Sequence, residues 1–220
     1  MLAAELISNS IPSLKTSDTV QKAMERMTEF KLSHMPIVNE SQFLGLLAED
    51  ELIEVKDVDS PIGSLSLSLL NPFVYEDAHI YDIIRLLTQL NLSAVPVLDY
   101  KKNYLGLVAI NSLLGYVAEI FAVKDAGGII VLEISNRNNS LAHMAQIVEA
   151  DNAQILSSYV QSFPDSTRLE VTLKINKTEL SGIIASFERY NYQVKAVFNN
   201  TKADDGTEDR FNSFMNYLNV

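Results

Sequence analysis

The feature that most limits how this chain can fold is that its first half repeats itself. Displaced by 60 residues, Pro12 falls on Pro72, Val20 on Ile80, Ala23 on Ile83, Met24 on Ile84 and Met27 on Leu87. Leu32-Ser33 falls on Leu92-Ser93, and Pro36 falls on Pro96. The second copy then gains one residue. After it, Leu44-Gly45-Leu46 matches Leu105-Gly106-Leu107, Ala48 matches Ala109 and Leu52 matches Leu113. Agreement over about 45 residues means two copies of one structural unit.

Each copy reads the same way. Val20, Ala23, Met24 and Met27 are spaced as one face of an amphipathic helix, and Ile80, Ile83, Ile84 and Leu87 repeat the stripe. Ser17 or Asp18 is placed to cap the first helix, and Asp77 the second. A short strand follows, Met35–Val38 or Val95–Leu98. Its proline has no amide donor, which predicts a place at the strand start or on an edge. A turn leads to a second strand, predicted to end near Gly45 or Gly106 and to run into a further helix. Two strands with flanking helices cannot bury both sheet faces alone, whereas two such units paired can.

Asp125-Ala126-Gly127-Gly128 marks a break, because glycines end the preceding helix cheaply. Beyond it the pattern is β-α-β-β-α-β. Strands are predicted at Ile129–Ile134, Ile155–Phe163, Leu169–Ile175 and Val194–Phe198, with a turn at Pro164-Asp165-Ser166. Leu141, Met144, Ala145 and Val148 form one helical stripe; Leu180, Ile183, Ile184 and Phe187 form another. Asn176, with Glu179 three residues on, is the predicted cap of the latter. This order is the ferredoxin-like arrangement. A polar, acidic stretch, Thr201–Asp209, reads as a linker to a short helix carrying Phe211, Phe214, Met215 and Leu218.

Each copy of the repeat resembles a CBS (cystathionine-β-synthase-type) domain. The helix, the hydrophobic-Pro-hydrophobic strand, and the strand with its glycine leading into a helix occur twice in that order. Residues 128–199 resemble an ACT domain, with Asn138-Asn139-Ser140-Leu141 where that family usually has Pro-Gly-x-Leu. The whole chain resembles bacterial acetoin-utilisation regulatory proteins of the B type. The fold class so implied is α+β: a tandem CBS pair plus a ferredoxin-like βαββαβ ACT-like domain. The expected domains are residues 1–58 and 59–124 for the two repeats, 128–199 for the ACT-like domain and 200–220 for linker and helix.

The resemblance implies two clefts near a pseudo-twofold axis that commonly take adenosine-containing ligands. The family pattern there is Gly-h-h-Thr-x-x-Asp-h, where h is hydrophobic. The first copy instead reads Gly45-Leu46-Leu47-Ala48-Glu49-Asp50-Glu51-Leu52, and the second Gly106-Leu107-Val108-Ala109-Ile110-Asn111-Ser112-Leu113. Both threonines are alanine, and the aspartate position holds Glu51 in one copy and Ser112 in the other. The ligand-binding residues carried over are Thr16, His34, Met35, Glu51, Val95 and Ser112. Two readings of the Glu49–Glu51 cluster stand side by side: a nucleotide-reading group, or acidic residues that suit the first turn of a helix. His34 likewise reads as a ligand contact or as a half-exposed structural histidine.

Chemistry beyond binding has little support. The histidines, His34, His79 and His143, fall in three different elements without metal-ligand spacing. No nucleophile elbow, phosphate loop or dinucleotide fingerprint occurs. The chain has no cysteine and a formal net charge of −11, which disfavours disulfides, thiol chemistry and binding to nucleic acid or anionic lipid. No run of apolar residues is long enough to span a bilayer, and the start has no signal-peptide pattern. The expectation is therefore a cytoplasmic, homodimeric regulator with no catalytic residue, no metal and no nucleic-acid or membrane partner. It would sense a small molecule through the repeat pair and modulate an unidentified protein. The alternative is an interaction or assembly module whose clefts no longer bind nucleotide.

Overall fold

The computed structural model describes residues 1–135, 140–163 and 167–199. The chain divides into two compact units, Met1–Tyr116 and Val117–Val220. In the first unit the leading copy contributes α1 (Val20–Phe30), β1 (His34–Asn39), β2 (Gln42–Ala48) and a single turn, α2 (Asp50–Ile53). The second copy contributes β3 (Val74–Tyr75), α3 (Ile80–Gln89), β4 (Ala94–Leu98), β5 (Tyr104–Ala109) and α4 (Ile110–Ile120). β1 and β2 pair antiparallel. β4 lies between β3, its parallel neighbour, and β5, its antiparallel one.

The helical stripes face the core as the spacing predicts: Val20, Ala23 and Met27 are buried, and so are Ile80, Ile83 and Leu87. The caps differ from expectation. Thr19 caps α1 by accepting from Lys22 N, and His79 caps α3 by accepting from Tyr81 N. Asp18 is drawn elsewhere, to Lys15 N and the ammonium of Lys22. Burial pushes its carboxyl up, but the Lys22 and Lys15 hydrogen bonds and the charges of Lys22 and Arg26 outweigh this, so its pKa is lowered. Asp77 accepts instead from the Tyr100 hydroxyl.

Neither proline starts its strand. Pro36 is third in β1, and its carbonyl accepts from Leu14 N, so its nitrogen faces that flank rather than β2. Pro96 is third in the central strand β4, but β3 pairs only from Val97 onward. In both places no partner asks for the missing donor.

The strands do not end at the glycines either; each continues three residues, to Ala48 and Ala109. Gly45 and Gly106 share φ of 156° and sit beside a register shift in each hairpin. A Cβ at Gly106 would lie 2.4 Å from Cγ2 of Ile7, and one at Gly45 would lie 2.7 Å from Cβ of Leu69. The chain that approaches so closely is the lead-in to the opposite copy. Ser8 N donates to Leu107 O, and Leu46 and Leu70 exchange two backbone hydrogen bonds. A short 3₁₀ turn, Ala3–Leu6, likewise reaches the second copy, with Ala3 N donating to Ala78 O. The repeats thus exchange their leading segments. They share one core, in which Leu14, Met27, Met35, Ile37 and Leu47 pack with Ala94, Leu107 and Ala109.

The second unit contains β6 (Gly128–Ser135), α5 (Leu141–Ala150), β7 (Ile155–Ser162), β8 (Arg168–Ile175), α6 (Ser181–Arg189) and β9 (Gln193–Phe198). Its antiparallel sheet has the order β7-β8-β6-β9, the ferredoxin-like arrangement with ACT-like element order. Alternate residues Ile130, Leu132, Ile134, Val171, Leu173 and Ile175 pack under Met144, Val148, Ile183 and Phe187. Two local expectations fail. α4 is ended by Ala122, in the left-handed region at φ of 51°, before the glycines are reached. α6 begins after Leu180, because the Asn176 side chain accepts from Gln154 N and ties down the neighbouring loop instead. The Asn138-Asn139 and Pro164-Asp165-Ser166 turns, and residues 200–220, lie outside the described residues.

The close approach at Gly106 is testable. Gly106→Ala is expected to cost about 1–3 kcal/mol by overpacking, and less in an Ile7→Ala background where the opposing methyl is gone. Urea unfolding of the two single variants and the double variant measures this coupling.

Candidate functional site

The candidate residues lie in the first unit, where β1 and β2, and β4 and β5, run into the helices that follow them. Register places His34 directly opposite Ala48, and Ala94 directly opposite Ala109. The two copies therefore differ at equivalent points: one offers an imidazole, the other two methyls. His34 is also where the copies meet. Its backbone N–H donates to Ser93 Oγ at 2.8 Å, and Ser93 N–H donates to His34 Nδ1 at 3.4 Å. The Ser33 and Ser93 hydroxyls lie 3.1 and 3.4 Å from the same Nδ1.

These contacts choose a protonation state. Nδ1 receives a backbone N–H and must be an acceptor, so the neutral ring carries its proton on Nε2. Burial lowers the pKa of His34 below the ordinary histidine value, while the carboxylate of Asp50 opposes that shift. His34, Ala48 and Asp50 are thus one neighbourhood.

The other candidates are placed less openly. Met35 and Val95 are fully buried, and Met35 belongs to the shared core. Thr16 is half-buried and bonded to Asn39: its N–H and hydroxyl lie 3.3 and 3.2 Å from Asn39 Oδ1. Glu51 and Ser112 occupy matching first turns of α2 and α4, and each is held by the exchanged segment. Ser68 N donates to Glu51 Oε2 at 3.1 Å, and Ser8 Oγ donates to Ser112 Oγ at 3.0 Å. Ser8 and Ser68 are themselves 60 residues apart, the period of the repeat. The sequence reading missed Ser8, Ser68 and Ser93. The displacement that aligned Ser33 with Ser93 was the available signal.

Among the described residues, no group of three or more histidines and carboxylates is arranged to hold a metal ion. No helix there is long and apolar enough to cross a membrane. One buried polar atom of the unit lacks a partner: the Tyr104 hydroxyl, whose burial raises its pKa.

The CBS domain model matches residues 3–58 and 62–119, more than half of the chain. The chain belongs to the CBS domain family. CBS pairs generally serve as regulatory, ligand-sensing modules rather than catalysts. Among solved structures, a CBS domain pair/ACT domain protein from Thermotoga maritima is similar at 22% identity and a TM-score of 0.48. That match covers 54% of this chain and 98% of the other. CBSX2, solved in complex with AMP, is 17% identical with a TM-score of 0.47, covering 54% of this chain and 97% of the other. The cytosolic domain of the Mg²⁺ channel MgtE, solved with ATP, is 17% identical with a TM-score of 0.43, covering 52% and 48%.

The His34 environment has a measurable signature. Its NMR titration midpoint is expected below about 6.5, and lower still in Asp50→Asn, which removes the opposing charge. The sign for stability follows. A histidine whose folded pKa is depressed loses stability as pH falls through about 6.5 toward the folded value, because the unfolded chain takes the proton first. His34→Gln should flatten that part of the stability profile.

Proposed function

We propose that the CBS pair senses a small molecule and, as a homodimer, passes its occupancy to a protein partner. The observation that carries this reading is the asymmetry of the two matching sites. The first has His34, Asp50 and Glu51; the second has Ala94, Asn111 and Ser112 at the corresponding places. A pair kept only for assembly has no need of a polar cluster on one side. Within this proposal the chain acts in the manner of the acetoin-utilisation regulators it resembles, in the cytoplasm and without catalysing a reaction.

If the ligand contains adenosine, the chemistry favours the first site and disfavours polyphosphates. The free lone pairs of Glu51 can accept from ribose hydroxyls, with one methylene more reach than aspartate. Ala48 and Ala109 offer no hydroxyl to phosphate. Glu49, Asp50 and Glu51 place carboxylates where phosphates would approach, and two like charges about 4 Å apart repel by roughly 1–4 kcal/mol. A helix terminus returns only about 0.3–1 kcal/mol to one phosphate. Adenosine or S-adenosylmethionine avoids the penalty.

A second reading has its own support. Glu51 and Ser112 are already hydrogen-bonded within the chain, and Met35 and Val95 are fully buried. Those features suit an assembly module with unused clefts.

Titration separates the two readings. Adenosine or S-adenosylmethionine should bind more tightly than AMP, and AMP more tightly than ATP, with Glu51→Ala weakening the best of them. A binder at 100 times its dissociation constant should add about 2.7 kcal/mol to stability. Tight ATP binding, or adenosine binding unchanged by Glu51→Ala, contradicts the site reading; no binder at all favours the assembly module. Light scattering is expected to give twice the chain mass of 24.5 kDa at micromolar concentration.

A further inference from the structure

The sheet of the second unit has two faces, and only one is covered by its helices. Ile130, Leu132, Val171 and Leu173 point into the core under α5 and α6. Their neighbours therefore point the other way. On that open face register sets Lys174 between Ile129 of β6 and Ser157 of β7. Next to them, Thr172 lies between Val131 and Tyr159. The turn after α4 roofs one end: Ser157 Oγ donates to Phe121 O at 3.0 Å, and Phe121 meets Tyr159 edge-on. The result is a pocket of about 450 Å³ with an apolar rim of Phe121, Val123, Ile129 and Phe198.

Lys174 makes this pocket unusual. It is 7% exposed, yet its hydrogen bond goes to a neutral acceptor, Gly127 O, at 3.3 Å. Among the described residues no carboxylate pairs with it. The far end of the same face behaves differently. Glu133 and Glu170 are opposite each other there, and each has a cation: Arg168 for Glu133, Lys195 for Glu170. Among the described residues, the face therefore holds one buried cation without a counter-charge, at the end where the apolar pocket lies. Buried charges are normally paired, and a lone lysine is disfavoured in such a place.

We propose that this pocket binds a small organic monocarboxylate with an apolar body, its carboxylate meeting Lys174 with Thr172 as a neutral donor. The volume falls within the usual range for small-molecule sites, which are mostly apolar with a few fixed polar groups. The pairing is charge-assisted and made inside a mostly apolar cavity, where such hydrogen bonds are strong. An α-amino acid fits less well, because its ammonium would be carried toward Lys174. The site is separate from the CBS clefts, and its test does not depend on them.

The test uses the full chain and calorimetric titration with hexanoate, alongside hexanol, hexylamine and leucine. Hexanoate is expected to bind saturably, one per chain, with the other three weaker by about tenfold or more. Lys174→Met should reduce hexanoate affinity by a similar factor. Val123→Glu, at an exposed rim position, should do the same by repulsion without touching the core, and it decides the matter if Lys174→Met does not fold. Absent hexanoate binding, or binding equal in the wild type and both variants, overturns the proposal. So does a loss of dimer mass in Lys174→Met, which would assign this face to a second copy of the chain.

Discussion

The first unit depends on an exchange. Each copy of the repeat has only one two-stranded hairpin of useful length, and such a hairpin is marginal by itself in water. The lead-in of the opposite copy supplies what is missing. Ile7 lies over Gly106 and Leu69 over Gly45, so closely that no side chain fits beneath. Backbone hydrogen bonds from Ser8 and Leu70 fix the same segments to the strands. Neither copy is complete until the other is folded. This is why Ala94, Leu107 and Ala109 of the second copy pack in the same cluster as the buried residues of the first.

That exchange also explains which parts of the fold were legible in the sequence. Helix faces and strand order follow from local periodicity, as at Val20–Met27, Ile80–Leu87 and along β6 and β8. The glycines were visible but misread. In one dimension Gly45 and Gly106 look like strand ends, whereas the structure uses them as points of close approach by a segment far away in sequence. Caps failed for a related reason. Asp18, Asp77 and Asn176 all have capping chemistry, but Lys22, Tyr100 and the Gln154 amide compete for them. Thr19 and His79 take the caps, and such competition is a tertiary fact.

The candidate site was legible in outline only. The departures at Ala48, Ala109, Glu51 and Ser112 can be read directly from the repeat. What the sequence does not reveal is how those positions are already engaged. His34 gains meaning only through Ser93, and Glu51 only through Ser68. Lys174 was hidden in a different way. In the pattern Leu169, Val171, Leu173, Ile175 it is simply one of the polar alternates. Its burial comes from the turn after α4, which no strand periodicity records.

Under the proposed sensing role, the internal hydrogen bonds at Glu51 and Ser112 are the contacts a ligand would have to replace. A ligand that engages Glu51 competes with Ser68 N for the carboxylate. Ser68 adjoins Leu69 and Leu70, the residues that close over Gly45 and pair with Leu46. That same stretch leads into β3 and α3 of the second copy. Loosening or tightening it therefore acts on the element that makes the first copy complete. The equivalent link at Ser112 runs through Ser8, next to Ile7 over Gly106. It joins two neutral hydroxyls, so a ligand has less to gain by replacing it than by meeting the Glu51 carboxylate. Under that proposal a single occupied site would be enough to distinguish the two halves of the pair, because each half is finished by chain that belongs to the other.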